Sequence, residues 1–219
     1  MISQFGIEKL VSTFTSIAST GSKGLPRSYS SSIYLRLCHT ANTLIDRHRK
    51  QLGGRFHILV PLLQSLLTCL FVPHTRAKLS ASKTPAAWLF SQPGVLTGEH
   101  GTAYTRILTT LTQPTVTSAA GARTTFLSNK TPDLVDQTRM ARQYAAQFVP
   151  YVLLQFCSMQ LVGRLDNEVN QALKPGLWAC IDAVPREALR GMSSGMGRDD
   201  REIWSALWAD WRRMNGQVR

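Results

Sequence analysis

Residues 47–71 read RHRKQLGGRFHILVPLLQSLLTCLF. A basic cluster runs into a glycine pair, and the pair into a long apolar run with a proline inside it. From Phe56 onward the polar positions are His57, Gln64, Ser65 and Thr68. With Pro61 they make one narrow face, and the rest of the circumference is apolar. A helix of that kind is buried among other helices or crosses a membrane. The run Phe56–Val72 extends for about 25 Å as a helix, short of the roughly 30 Å of a hydrocarbon core. The polar face and the interior proline also count against a membrane anchor. The reading is a packed helix over residues 55–72, kinked at Pro61, where the ring removes a backbone donor.

Helical spacing continues on both sides. Upstream, Ile33, Leu37, Ala41, Leu44 and Ile45 recur at three and four, with the serines at 30–32 as a cap region and Gly53–Gly54 as the stop. Downstream, Thr97 caps a helix with Glu99 in its first turn and a stripe of Tyr104, Ile107, Leu108 and Leu111, stopped by Pro114. A long helix is expected from Asp133 to about Val162, interrupted at Pro150. Another covers residues 167–184, with the stripe Val169, Leu173, Leu177, Ile181 and Val184 and a kink or break at Pro175. A short turn or helix at 185–190 and a flexible joint, GMSSGMGRDD, lead to a last helix carrying Ile203, Trp204, Leu207, Trp208 and Trp211. Strand alternation is nearly absent. The fold class expected is all-α, an irregular stack of antiparallel helix pairs resembling helical repeats, with proline-kinked core helices. FVPYVLLQFCSMQL echoes LVPLLQSLLTCLF, as units of such an array do.

Two parts are expected: an N-terminal helix and linker at 1–27 and a single α-helical domain at 28–217, with mobile basic loops at about 74–96 and 115–131. The first 27 residues are rich in Ser and Thr and nearly free of acids. They read as a packed amphipathic helix on Phe5, Leu10, Phe14 and Ile17, or as a mitochondrial targeting peptide.

The chain of 219 residues carries a net charge of +12. Residues 1–130 hold 14 Lys and Arg against three acids, and residues 131–219 hold 11 against 10. A polyanionic partner would face the first part; a basic surface that only keeps the protein soluble is the alternative. The cluster Arg47, Arg49, Lys50 and Arg55 is the candidate contact for RNA or a partner. Cations at a helix C-terminus also stabilise the dipole without any ligand, so both readings stand. Trp204, Trp208 and Trp211 share one helix face, for the core or for a partner.

Catalysis has little support. Cys38, Cys69, Cys157 and Cys180 are far apart and read as reduced core thiols. His39, His48, His57, His74 and His100 show no metal-ligand spacing, and phosphate or dinucleotide loops are missing. Glu99 and His100 are adjacent, which points them to different faces and favours a helix start. No catalytic, cofactor or metal residue is assigned.

Four blocks carry a resemblance: HRKQLGGRFHILVPLLQSLLTCLF, LTGEHGTAYTRILTTLTQP, AAQFVPYVLLQFCSMQLVGRLDNEVNQALKPGLWACIDAV and DREIWSALWADWRRMNGQ. In this order and spacing, from about Tyr29 to Gln217, they resemble the C-terminal domain of the nucleolar 27S pre-rRNA processing family, of the unhealthy ribosome biogenesis protein 2 type. The resemblance implies a nucleolar factor of early large-subunit assembly. It also implies partners: a larger helical scaffold protein, a DEAD-box helicase and pre-rRNA. Members of the family are much longer than this chain, and this domain is their tail. The family offers no catalytic residues, and residues 115–131 stand apart from its pattern.

Overall fold

The computed structural model describes residues 3–20, 29–52, 55–73, 96–114 and 134–216. They form helices α1 (Gln4–Thr20), α2 (Ser30–Leu52), α3 (Leu59–Thr68), α4 (Gly98–Thr112), α5 (Leu134–Ala146), α6 (Val149–Val162), α7 (Asn167–Ala183), α8 (Arg186–Ser194) and α9 (Arg198–Gly216). A two-residue ladder, β1 (Val72–Pro73) against β2 (Gly163–Arg164), pairs Val72 with Arg164 and Pro73 with Gly163 in antiparallel register. The fold is all-α. Gly53–Gly54 and most of the two expected loops lie outside the described residues; Leu96, at the end of the first, is buried.

The opening stretch holds the centre. Leu59, Leu62, Leu63, Leu66 and Leu67 of α3 are all buried, as are Cys69, Leu70 and Phe71 just beyond it. α1 packs on one side of α3 and α6 on another. Tyr34 of α2 and Tyr104 of α4 donate their buried hydroxyls to the carbonyls of Leu66 (3.2 Å) and Leu63 (2.8 Å). The helix is shorter than its composition suggests. A 3-10 turn, Phe56–Ile58, precedes it, and the chain leaves helical geometry after Thr68 to join the ladder. Pro61 therefore falls in the first turn, where an N–H would lack a partner anyway, and it places no kink in mid-helix. No single helix among the described residues is long and apolar enough to cross a membrane.

The two echoing segments are direct neighbours. Gln64 Nε2 donates to the Tyr151 carbonyl (3.2 Å), and Gln155 Nε2 to Thr68 Oγ1 (3.1 Å), which ties α3 to α6. The expected helix from 133 to 162 is two helices, α5 and α6, bent by 40° at Gln147–Phe148, with Pro150 in the first turn of α6. Pro175 does not break α7. Thr105 Oγ1 of α4 donates to the Ala172 carbonyl at 2.7 Å, close to the carbonyl that the proline leaves unpaired.

α4 and α7 make the closest helix contact. A Cβ on Gly101 would stand 2.7 Å from the Val169 carbonyl oxygen, and one on Gly176 would stand 3.0 Å from Thr105 Cα. Only a residue without a side chain lets the backbones approach so far. The predicted stripes on α4 and α7 are buried throughout.

α1 shares this core, but in another phase than expected. Ile7, Val11 and Ala18 are buried, with Phe14 and Ile17 partly so, whereas Phe5 is 75% exposed and Leu10 also faces outward. The run 7, 11, 14, 18 is an unbroken series of fours and threes; the expected stripe takes a step of five from Phe5 to Leu10. Cys69 Sγ donates to the Ala18 carbonyl at 3.3 Å.

The joint before α9 is folded. Met196 is buried, and the Arg201 guanidinium donates to the carbonyls of Ser193 (3.2 Å) and Met196 (3.0 Å). These bonds close the C-terminus of α8, where a cation also suits the dipole.

Candidate functional site

Among its described side chains, the predicted basic cluster does not form one surface. Arg47 is exposed, and the Lys50 side chain lies outside the described residues. Arg55 is exposed and ion-paired to Glu8, which joins the start of the α3 segment to α1. Arg49 is only 5% exposed. Its Nη1 donates to the Leu111 carbonyl at 3.0 Å and its Nη2 to the Thr110 carbonyl, both in the last turn of α4. Burial pushes the guanidinium down to about 10, with Asp46 pulling the other way, so it stays charged at neutral pH. Arg49 thus caps α4 from a distance of some 60 residues. The sequence does contain the signal: Arg49 stands four residues after Ile45 and three before Leu52, in step with the buried stripe. Just before it, α2 leaves helical geometry at His48 (φ −119°, ψ 18°).

His100 occupies the third position of α4, where a capping box usually has Glu or Gln. Its Nδ1 accepts the Thr97 N–H at 3.1 Å, and its Nε2 lies 2.7 Å from Ser31 Oγ on α2. Accepting at Nδ1 puts the ring proton on Nε2, which donates to the serine. Burial lowers the His100 pKa, and the neighbouring Glu99 charge opposes it. The four cysteines are buried and free; burial pushes Cys38 and Cys157 up to about 12, and Cys69 and Cys180 higher still. They are neutral and poor nucleophiles. Among the described residues no group of three His, Cys, Asp or Glu is placed to hold a metal.

The tryptophan face of α9, read from the sequence as core or partner surface, lines a groove between α8 and α9 whose arginines the sequence did not single out. The open groove, of about 1180 Å³, is lined by Arg186 and Arg190 of α8, by Arg201 and Arg212 of α9, and by the tryptophans of α9. Trp204 is buried in the core. Trp208 and Trp211 are half-buried and stack with ring centroids 4.7 Å apart and planes 28° apart. The Arg212 guanidinium lies 5.6 Å from the Trp208 ring centroid. Asp182 is the acid in the lining, and its Oδ1 accepts the Trp211 indole N–H at 3.0 Å. Asp210 pairs with Lys174 (2.9 Å) and Arg213, and Glu202 with Arg198 (3.7 Å); none of these lines the groove. The near-neutral charge of residues 131–219 conceals this separation of signs.

The sequence profile of the Urb2/Npa2 family matches residues 1–216, nearly the full length and α1 included. The chain belongs to the Urb2/Npa2 family. This is a family of ribosome-biogenesis factors and not a known enzyme family. One relative is the "Probable nucleolar pre-ribosomal-associated protein 2" of Schizosaccharomyces pombe, 26% identical over 141 residues. The match covers 64% of this chain and 10% of the yeast protein, so the chain corresponds to a small part of that relative's length. No solved structure matches the chain.

Proposed function

We propose that this chain is a non-catalytic docking domain of early large-ribosomal-subunit assembly, acting in the nucleolus on particles that contain 27S pre-rRNA. Membership of the Urb2/Npa2 family across residues 1–216 carries the reading, and the nucleolar, pre-ribosomal name of the fission-yeast relative supports it. The chemistry is consistent with it. The thiols are buried and neutral, His100 is bound into a helix cap, and Arg49 holds a helix end. The partners proposed are a larger helical scaffold protein and a DEAD-box helicase of the same complex. Arg47 is the member of the first basic cluster that faces solvent without an ion pair among the described residues, and we assign it to the partner-facing side.

The test is affinity purification of the tagged chain from cells, followed by sedimentation, with and without nuclease. Co-sedimentation with 27S-containing precursors is expected, as is retention of protein partners after nuclease. A chain that sediments free of precursors in both conditions overturns the reading.

A further inference from the structure

From the groove between α8 and α9 we infer a binding site for single-stranded RNA. Unpaired bases stack on the Trp208–Trp211 pair at its Trp211 end, Trp208 being already covered by Arg212, and the adjoining phosphates pair with Arg186, Arg190 and Arg212. The inference rests on the docking function proposed above only for the choice of RNA among polyanions.

Three observations support it. First, the indoles are already stacked, at 4.7 Å and 28°, and line an open groove, so a planar ligand meets an aromatic platform held in place by packing. Trp211 is fixed by its bond to Asp182, and Trp208 by contact with Trp204 at 5.8 Å between centroids. Second, Arg186 and Arg190 stand at i and i+4 on α8, exposed, with no ion pair among the described residues. Exposed arginines gathered without acidic partners repel one another unless an anion joins them. Arg201 differs: its guanidinium is committed to the carbonyls that close α8, so it adds charge and not a free fork. Third, the volume, about 1180 Å³, is above the roughly 300–1,000 Å³ of small-molecule sites and suits a segment of chain.

An acidic peptide would satisfy the arginines, but the stacked rings add a flat face that matches the face of an unpaired base. A duplex keeps its bases stacked on each other and offers only phosphates. The combination of stacking platform and arginine rim therefore favours unpaired RNA.

The test is titration of the 219-residue chain with a labelled, unstructured oligoribonucleotide of about ten nucleotides, at several salt concentrations. Competitors are an RNA duplex of the same length and polyglutamate. A chain of charge +12 binds RNA weakly at many places, so the groove variant Arg186→Glu/Arg190→Glu is compared with Arg36→Glu/Arg106→Glu. The latter makes the same charge change at exposed positions outside the groove. The groove pair is expected to lose at least about tenfold in affinity and the control pair several-fold less. Trp211→Ala should lose about 5- to 150-fold, and Trp211→Phe should recover most of it. Three engaged arginines predict a slope near −2 for log affinity against log salt, flatter in the groove pair. If Trp211→Ala fails to fold, the exposed arginine pair still decides.

Equal losses in the two charge pairs, or a duplex bound as tightly as the single strand, overturn the inference. So does polyglutamate that displaces RNA and loses its own binding in the groove pair, an outcome that makes an acidic protein segment the occupant. Failure here while the chain still sediments with precursors leaves the docking function standing. Binding here without sedimentation removes the docking function alone.

Discussion

Replacing Arg49 separates a structural cation from a phosphate contact. The side chain is buried, and its fork donates to the Leu111 and Thr110 carbonyls at the C-terminus of α4. Arg49→Met keeps the aliphatic stem and removes both donors. Each charge-assisted bond contributes about 1.5–3 kcal/mol net, and a buried carbonyl left without a donor costs about 1–3 kcal/mol. The lost dipole interaction adds about 0.3–1 kcal/mol. Against this, Met does not pay the desolvation of a guanidinium, and the Arg49 Nε already lacks a partner among the described residues. The net loss expected is about 2–4 kcal/mol. For a chain of this size that is a fall of roughly 5–15 °C in melting temperature, read by far-ultraviolet circular dichroism. Arg49→Lys keeps charge but not the planar fork and should fall between. RNA affinity, measured well below the transition, should match that of wild type for a like change in charge. A Met variant melting within about 2 °C of wild type would refute the capping argument; lost RNA affinity at unchanged melting temperature would restore the phosphate role.

Other expectations follow from packing and titration. Gly101→Ala puts a Cβ 2.7 Å from the Val169 carbonyl; an overpacking cost of about 1–3 kcal/mol exceeds the helix-propensity gain of about 1 kcal/mol, so denaturant titration should show net destabilisation. Gly191→Ala on α8 meets nothing within 4 Å and should stabilise by about 0.4–1 kcal/mol in the same titration. The pKa of His100 is lowered below its ordinary value of 6.5 in the folded state. Its contribution is therefore complete above pH 6.5 and is lost as pH falls through the lower native value, because the unfolded chain takes up the proton first. His100→Gln should flatten that limb in melts run across the acid range. Finally, Cys38, Cys69, Cys157 and Cys180 are buried with raised pKa values; Ellman's reagent should leave them unlabelled in the native protein and react with them in denaturant.

Where apolar positions repeat without interruption, burial was legible in the sequence. Tyr104, Ile107, Leu108 and Leu111 on α4, and Val169, Leu173, Leu177 and Ile181 on α7, are examples. On α1 the stripe through Phe5 and Leu10 differs from the buried one, and Ile7 and Val11 keep the better period. A cation is seldom buried, and although Arg49 is in register with the core stripe, the carbonyls that accept it lie some 60 residues away. The glycines and serines at 191–200 suggest a flexible joint, whereas Arg201 closes it through carbonyls that no composition reveals. The arginine rim of the groove is the least legible feature. Arg186 and Arg190 come opposite Arg212 and the indoles only because the joint before α9 sets the two helices on either side of one groove.

The central place of α3 also bears on synthesis. Its leucines emerge from the ribosome before Tyr104 and the α6 surface that cover them, the last of α6 at Val162. At about 5–20 residues per second, the wait is roughly 5–20 s. Throughout that interval a nascent chain displays five leucines on a helix too short to hold its shape alone. This protein is therefore a natural client for whatever shields apolar segments at the tunnel exit.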